Sequence, residues 1–262
     1  MATPFLSIIT INYNQAEGLL KTIESVVQQT FKDYEFLIVD GGSTDGSLEV
    51  IKEFENHIDY SESKSDRGIY HAMNKGIAKA KGTYLLFLNS GDFLTSAAAL
   101  KSFMEHPQFD GDIVYGDYQF AEGHKVYPDS LTPTYFMRTS LPHQSTFFHR
   151  KVFDLLGGYD ESYPMGADRA FYIKAFLDGR FHFKHIPYFL TEFDLSGVSN
   201  YQEFKKKKQA EDQRLLKESY GEYYEHYWAI HESEMHQSRV PKYSPKGIWK
   251  RIKKRWRQLW NH

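Results

Sequence analysis

Thr83-Tyr84-Leu85-Leu86-Phe87-Leu88-Asn89-Ser90-Gly91-Asp92 is an apolar run that stops abruptly at a polar turn ending in a carboxylate. A short apolar run bounded by Gly82 and a turn reads as a buried strand. In open α/β sheets, ligands bind just outside the carboxyl ends of strands. A carboxylate at such a tip is placed to hold a divalent cation and, with it, a phosphate group. Two earlier strands end the same way: Leu6–Ile11 runs into Asn12-Tyr13-Asn14, and Tyr34–Val39 into Asp40-Gly41-Gly42-Ser43-Thr44-Asp45-Gly46. Three strands offering polar tips to one edge describe a nucleotide site.

Helical patterns separate these strands. Leu19, Leu20, Ile23, Val26 and Val27 recur at helical spacing over Ala16–Gln29, and Leu48, Ile51 and Phe54 follow a cap at Thr44 or Asp45. A strand near Ile58–Ser61 leads through Asp66-Arg67-Gly68 to a helix with Ile69, Met73, Ile77 and Ala80 on one face, closed by Gly82. Such alternation predicts a parallel, doubly wound arrangement. From Ala97 the pattern loosens. It predicts a helix over Ala97–Glu105, strands over Asp112–Phe120, His124–Tyr127 and Gln144–His149, a helix over Ala167–Leu177, and one or two strands within Phe181–Thr191. The expected fold is α/β, a Rossmann-like doubly wound mixed sheet over residues 1–200. Residues 1–95 would bind the nucleotide and 96–200 the acceptor, with a helical extension over 201–262.

The 262 residues are 41% hydrophobic and 25% charged, an ordinary composition for a soluble globular protein. The absence of cysteine excludes disulfides, thiolate metal sites and thiol nucleophiles. No charged and apolar leader precedes the first strand, and no apolar stretch reaches the roughly 18 residues needed to span a bilayer. The expected location is the cytoplasm.

Charge is unevenly placed. The net −2 combines nine bases and no acid after Glu234 with −11 over residues 1–234. Pro245 can open a helix on which Trp249, Ile252, Trp256 and Leu259 or Trp260 recur at helical spacing among Lys250, Arg251, Lys253, Lys254, Arg255 and Arg257. Indoles beside a dense basic face suit a helix lying on an anionic membrane surface, here through residues 244–262. The alternative is docking on the acidic body. Basic and aromatic residues confined to one tail do not make a nucleic-acid surface.

Together the motifs resemble glycosyltransferase family 2, inverting enzymes of GT-A fold that use nucleotide-sugar donors. The resemblance rests on Ser7-Ile8-Ile9-Thr10-Ile11-Asn12-Tyr13-Asn14, Ile38-Val39-Asp40-Gly41-Gly42-Ser43-Thr44-Asp45-Gly46, Gly68-Ile69-Tyr70 with Ala72-Met73-Asn74-Lys75-Gly76, and Leu88-Asn89-Ser90-Gly91-Asp92. It covers about residues 4–200 and suits the branch that builds bacterial surface polysaccharides. The last motif departs from the family's Leu-Asp-x-Asp-Asp: Asn89 and Gly91 replace two aspartates, and Asp92 remains.

The resemblance implies roles residue by residue. Asp40 would accept from N3–H of uracil; otherwise it is a turn aspartate tying down its own loop. Thr10, Asn12, Tyr13 and Asn14 would contact base and ribose beside Gly42 and Ser43, or cap the following helix. Asp45 can contact ribose or cap a helix. Asp66 and Arg67 would lie near base and diphosphate, or form a solvated ion pair. Asn74 and Lys75 follow one turn into a helix, Lys75 as a phosphate counter-charge or a surface lysine. Asn89, Ser90 and Gly91 would line the donor, with Asp92 holding Mn²⁺ or Mg²⁺. Asp168, opening a helix, would be the base that takes the proton of the acceptor hydroxyl, or only the cap of that helix. His143 could touch diphosphate, metal or acceptor, and Asp117 the acceptor.

The implied activity is non-processive, inverting transfer from a nucleotide sugar, a UDP-sugar by the Asp40 role, to a lipid-linked or oligosaccharide acceptor. The protein would sit peripherally on the inner face of the plasma membrane. A dinucleotide-dependent oxidoreductase is excluded at the first strand–helix turn, where Asn12 to Gly18 lacks G-x-G-x-x-G. A membrane-embedded synthase would carry spans and Gln-x-x-Arg-Trp, whereas Ile252 stands at the glutamine position before Arg255-Trp256. A sugar-nucleotide-binding relative without transferase activity is the remaining alternative.

Overall fold

The computed structural model describes residues 3–193 and 202–238. β1 (Leu6–Asn12) and β2 (Tyr34–Asp40) are apolar and buried along nearly their whole length, as parallel strands covered on both faces must be. They pair in parallel with Asn12 opposite Asp40. β3 (Tyr60–Ser63) joins β2 in parallel with Ser63 opposite Asp40, and β4 (Tyr84–Phe87) joins β1 on its other side. This register brings the tips of β1, β2 and β3 level. The crossovers are α1 (Ala16–Val27), α2 (Ser47–Glu53) and α3 (Ile69–Lys79). Leu19, Ile23 and Val26 of α1 pack into the core with Ile8, Phe36, Ile38 and Leu86 of the strands.

Gly82 does not close α3 as expected. The helix ends at Lys79, and Ala80 is already extended. A Cβ on Gly82 would come within 2.5 Å of the Ser7 backbone nitrogen, so glycine is needed for the close pass against β1.

The second half turns the sheet mixed. Its elements are β5 (Phe93–Leu94), α4 (Ala99–Met104), β6 (Ile113–Phe120), β7 (Gly123–Lys125), α5 (Pro133–Phe136), β8 (Thr146–His149), α6 (Arg150–Leu156), α7 (Ala167–Asp178) and β9 (Phe183–Glu192). Strand order is β3-β2-β1-β4-β8-β6-β9-β5, with β7 a hairpin on β6. β8 is antiparallel to both β4 and β6, β9 is parallel to β6, and β5 is antiparallel to β9. The stretch Phe181–Thr191 thus forms one strand. A 3-10 turn at His143–Ser145 takes the start of the strand expected from Gln144. The short elements β5, α5 and α6 were not foreseen, being too brief to show a period.

Aromatic rings hold α6 and α7 against the sheet. Phe153 stacks on Phe171 with centroids 4.7 Å apart, and Phe148 stacks on Tyr172 at 5.5 Å. α8 (Gln202–Tyr220) and α9 (Tyr224–Ser238) follow. One compact unit runs through Ser219 and a second begins at Tyr220. In the second unit, Tyr224 stacks on Trp228 within α9. The basic segment 244–262 lies outside the described residues.

Candidate functional site

Asn12 ties the three strand tips together. Its Nδ2 donates to Asp40 Oδ1 (2.8 Å) and Ser43 Oγ (3.2 Å), while its Oδ1 accepts from Ser90 Oγ (2.8 Å). Asp40 is fully buried and accepts five hydrogen bonds, from Asn12 Nδ2, Ser43 Oγ, Ser63 Oγ and the N–H groups of Gly42 and Ser43. Burial alone would raise its carboxyl; the bonds from Ser43, Ser63 and Asn12 outweigh this and hold it below the ordinary value. A carboxylate has about four lone-pair sites, so Asp40 is committed to its own loop in this conformation, and a base N–H would have to displace one of these donors.

The neighbouring turn is stitched in the same way. Asn14, at a positive φ of 49°, donates its N–H to Ser43 Oγ and accepts from Thr44 N at Oδ1. Asp45 receives Ala16 N from α1 and Ser47 N from α2, serving as cap to both helices. Gly42 supplies the left-handed turn at φ 85°.

Beside this lattice lies an open surface. Tyr13 is 66% exposed, and its ring and the Asp66 carboxylate both flank Gly41, at 3.1 and 2.8 Å from where a Cβ would stand. An exposed ring between a glycine and a carboxylate can receive a planar base. Thr10, inside β1, is fully buried, and its hydroxyl has no partner.

The β4 tip is bonded to His143. Asn89 Nδ2 lies 3.0 Å from His143 Nε2, which makes that nitrogen the acceptor. Burial pushes the His143 imidazole down, opposed by the negative charge of Asp168. His143 is therefore held neutral between the 89–92 turn and Asp168. Asp168, in the first turn of α7, accepts a hydrogen bond from Tyr70 of α3 at 2.8 Å. Burial and the Asp168 charge push the Tyr70 phenol well up, so it stays a donor. Tyr70 went unnoticed as a partner, although it closes the Gly68-Ile69-Tyr70 motif.

Asp92 is 3% exposed, its backbone held by Asn89 and Thr22. Gly91, at φ 100°, makes the turn in front of it, a conformation that an aspartate would adopt only under strain. Asn89 Oδ1 is buried with no partner. Such an atom costs about 1–3 kcal/mol, relieved when a ligand supplies the missing contact. Among the described residues there is no cluster of three or more metal-ligating side chains. One carboxylate and one amide oxygen therefore fit a cation that brings most of its ligands as diphosphate and water.

Other expected residues serve the scaffold. Asn74 accepts from Tyr159 N (2.8 Å) and donates to Tyr159 O (2.9 Å), clamping α3 to the loop before α7. Lys75 pairs with Glu62 at 3.0 Å, away from any phosphate role. Arg67 pairs with Glu161 at 2.7 Å at the exposed rim. Asp117 is 2% exposed and bound to His185 Nε2 (2.9 Å) and Tyr127 N (2.9 Å).

Comparison with known proteins agrees with this architecture. Residues 7–161 match the family model described as Glycosyl transferase family 2. A PGL/p-HBAD biosynthesis glycosyltransferase of Mycobacterium bovis is 33% identical over 214 residues, covering 78% of this chain and 79% of the relative. The crystal structure of S. aureus TarS 1-349 in complex with UDP-GlcNAc superposes with a TM-score of 0.62 at 17% identity, over 81% of this chain and 66% of that one. The mannosyltransferase PcManGT from Pyrobaculum calidifontis, in complex with GDP-Man and Mn²⁺, gives a TM-score of 0.62 at 17% identity, over 83% of this chain and 64% of that one.

Proposed function

This chain belongs to glycosyl transferase family 2, and from that premise we propose that it is a non-processive, inverting enzyme that moves a sugar from a UDP-sugar to a lipid-linked or oligosaccharide acceptor in surface polysaccharide synthesis. One observation carries the reading: Asp168, in the first turn of α7, accepts a hydrogen bond from Tyr70 of the Gly68-Ile69-Tyr70 motif at 2.8 Å. A leaving group and a base must flank the same sugar carbon for inversion, and the reading gives these parts to the 89–92 turn and to Asp168.

In this mechanism the base lies against Tyr13 beside Gly41, and the diphosphate reaches the 89–92 turn. Asp92 and Asn89 Oδ1 would hold Mn²⁺ or Mg²⁺, whose charge, when bound, stabilises the departing nucleoside diphosphate. Asp168 takes the proton of the acceptor hydroxyl as its oxygen attacks C1 from the opposite face. Tyr70 holds one carboxylate oxygen at 2.8 Å and leaves the other for that proton. Neutral His143 adds no positive charge that would weaken the base.

Membrane attachment is proposed on sequence alone, through the basic, Trp-bearing segment 244–262.

Asp168→Asn tests the mechanism. It keeps size and the Tyr70 hydrogen bond but removes basicity, so kcat should fall by several orders of magnitude at nearly unchanged donor affinity. Retention of more than about a tenth of wild-type turnover would move the base elsewhere. A wild-type protein that binds UDP-sugars but neither hydrolyses nor transfers them would be the non-catalytic relative, for which Asn89 and Gly91 in place of aspartates speak.

A further inference from the structure

We propose that α8 belongs to the catalytic apparatus, with Glu211, from a distant part of the chain, anchoring the residues that lead into α7 and thereby setting the position of Asp168. The inference rests on Asp168 being the base.

α7 starts at Gly166, which has no side chain with which to cap the orphan N–H groups of the first turn. Glu211 instead anchors the chain just before that turn. Its Oε1 accepts from Met165 N at 2.9 Å, one residue before Gly166. The next residue of α8, Asp212, pairs at 3.0 Å with Arg169, the neighbour of Asp168. Arg169 is itself buried and donates to Phe136 O through Nε (2.9 Å) and Nη2 (2.6 Å).

One turn further along α8, Arg214 lies over the Tyr163 ring, 4.5 Å from its centroid, and donates to Ser162 O. Glu218 accepts from the Tyr163 hydroxyl. Leu215 is fully buried against Gly166, where a Cβ would stand 3.1 Å from its Cδ1. α8 thus holds the chain on both sides of Asp168, while Asp168 itself is turned to Tyr70. A positioning helix of this kind matters for transfer more than for nucleotide binding, because the contacts described for it are with residues 162–169 around Asp168.

The test uses the full chain with Glu211→Ala, Glu211→Gln and Asp168→Asn, measuring kcat, donor KM, UDP affinity by calorimetry, and thermal midpoint. Misplacing a reacting group by about 1 Å costs on the order of 10²-fold. Glu211→Ala should therefore lower kcat about 10²-fold and leave UDP affinity within about twofold. Glu211→Gln, whose amide oxygen still accepts, should recover kcat to within about threefold of wild type. Wild-type kcat in Glu211→Ala overturns the proposal, and so does a parallel loss of kcat and UDP affinity in both variants. If Glu211→Ala does not fold, Glu211→Asp, which keeps charge but shortens reach, must show the same split; a folded Glu211→Asp with wild-type kcat overturns it. Full turnover in Asp168→Asn would instead remove the base assignment itself.

Discussion

Asp40→Asn separates a carboxylate that organises its loop from one reserved for a base. The substitution is isosteric, so packing is preserved and only hydrogen bonding changes. At Oδ2 the backbone N–H groups of Gly42 and Ser43 are fixed donors, so the amide oxygen must stay on that side. The new NH₂ then faces Asn12 Nδ2, and Asn12 cannot flip without losing the Ser90 hydroxyl at its Oδ1. One charge-assisted bond is lost, a donor faces a donor, and the remaining bonds become neutral. With bonds to charged groups worth about 1.5–3 kcal/mol and a buried unsatisfied donor about 1–3 kcal/mol, the expected destabilisation is about 3 kcal/mol. For a domain of this size that is roughly 6–12 °C in Tm, measurable by scanning calorimetry or denaturant titration. The effect depends on pH in a defined direction. The folded-state pKa of Asp40 lies below the ordinary 3.8, so its stabilisation is complete above that value and is lost as pH falls through the folded pKa. The gap between wild type and Asp40→Asn should be constant near neutrality and close as pH falls below about 4. An unchanged Tm together with abolished UDP binding would refute the organising role.

Asp92→Ala should abolish Mn²⁺-dependent transfer and weaken donor binding while leaving Tm within about 2 °C of wild type; unchanged activity at saturating donor would remove Asp92 from the site. Because Asn89 contributes no charge, Mn²⁺ should bind weakly to the protein without nucleotide, and tight calorimetric binding to the free protein would contradict the proposed ligand set. Deleting residues 244–262 should release the protein from anionic vesicles and spare transfer to a water-soluble acceptor. Continued sedimentation with those vesicles, or unfolding of the shortened chain, would show the segment to be structural.

Much of the nucleotide half was legible in the order of residues. Ser7 to Asn14, Tyr34 to Gly46 and Thr83 to Asp92 each show an apolar run ending in polar turn residues, and each forms a strand with its tip at the proposed site. These signals are local: a buried parallel strand needs a continuous apolar run, and a turn needs glycine, asparagine or aspartate. The same locality limited the second half. The two-residue β5 and the four-residue α5 carry too little pattern to show a period.

The amino-acid sequence by itself determined the α/β alternation and the polar strand tips, Asp92 among them, because strand burial and helix amphipathicity write a period into neighbouring residues, while the candidacy of Asp168 came from the family resemblance. Only the tertiary structure decided how those candidates are partnered. It committed Asp40 to Asn12, Ser43 and Ser63, buried Asp117 under His185, turned Asn74 into a clamp on Tyr159, and brought Tyr70, His143 and Glu211 to the surroundings of Asp168. Glu211 and Met165 are 46 positions apart, and Tyr70 and Asp168 are 98. Hydrogen bonds act over about 3 Å of space whatever the separation along the chain, so contacts of this kind leave no periodic trace and exist only once the sheet has brought their elements together.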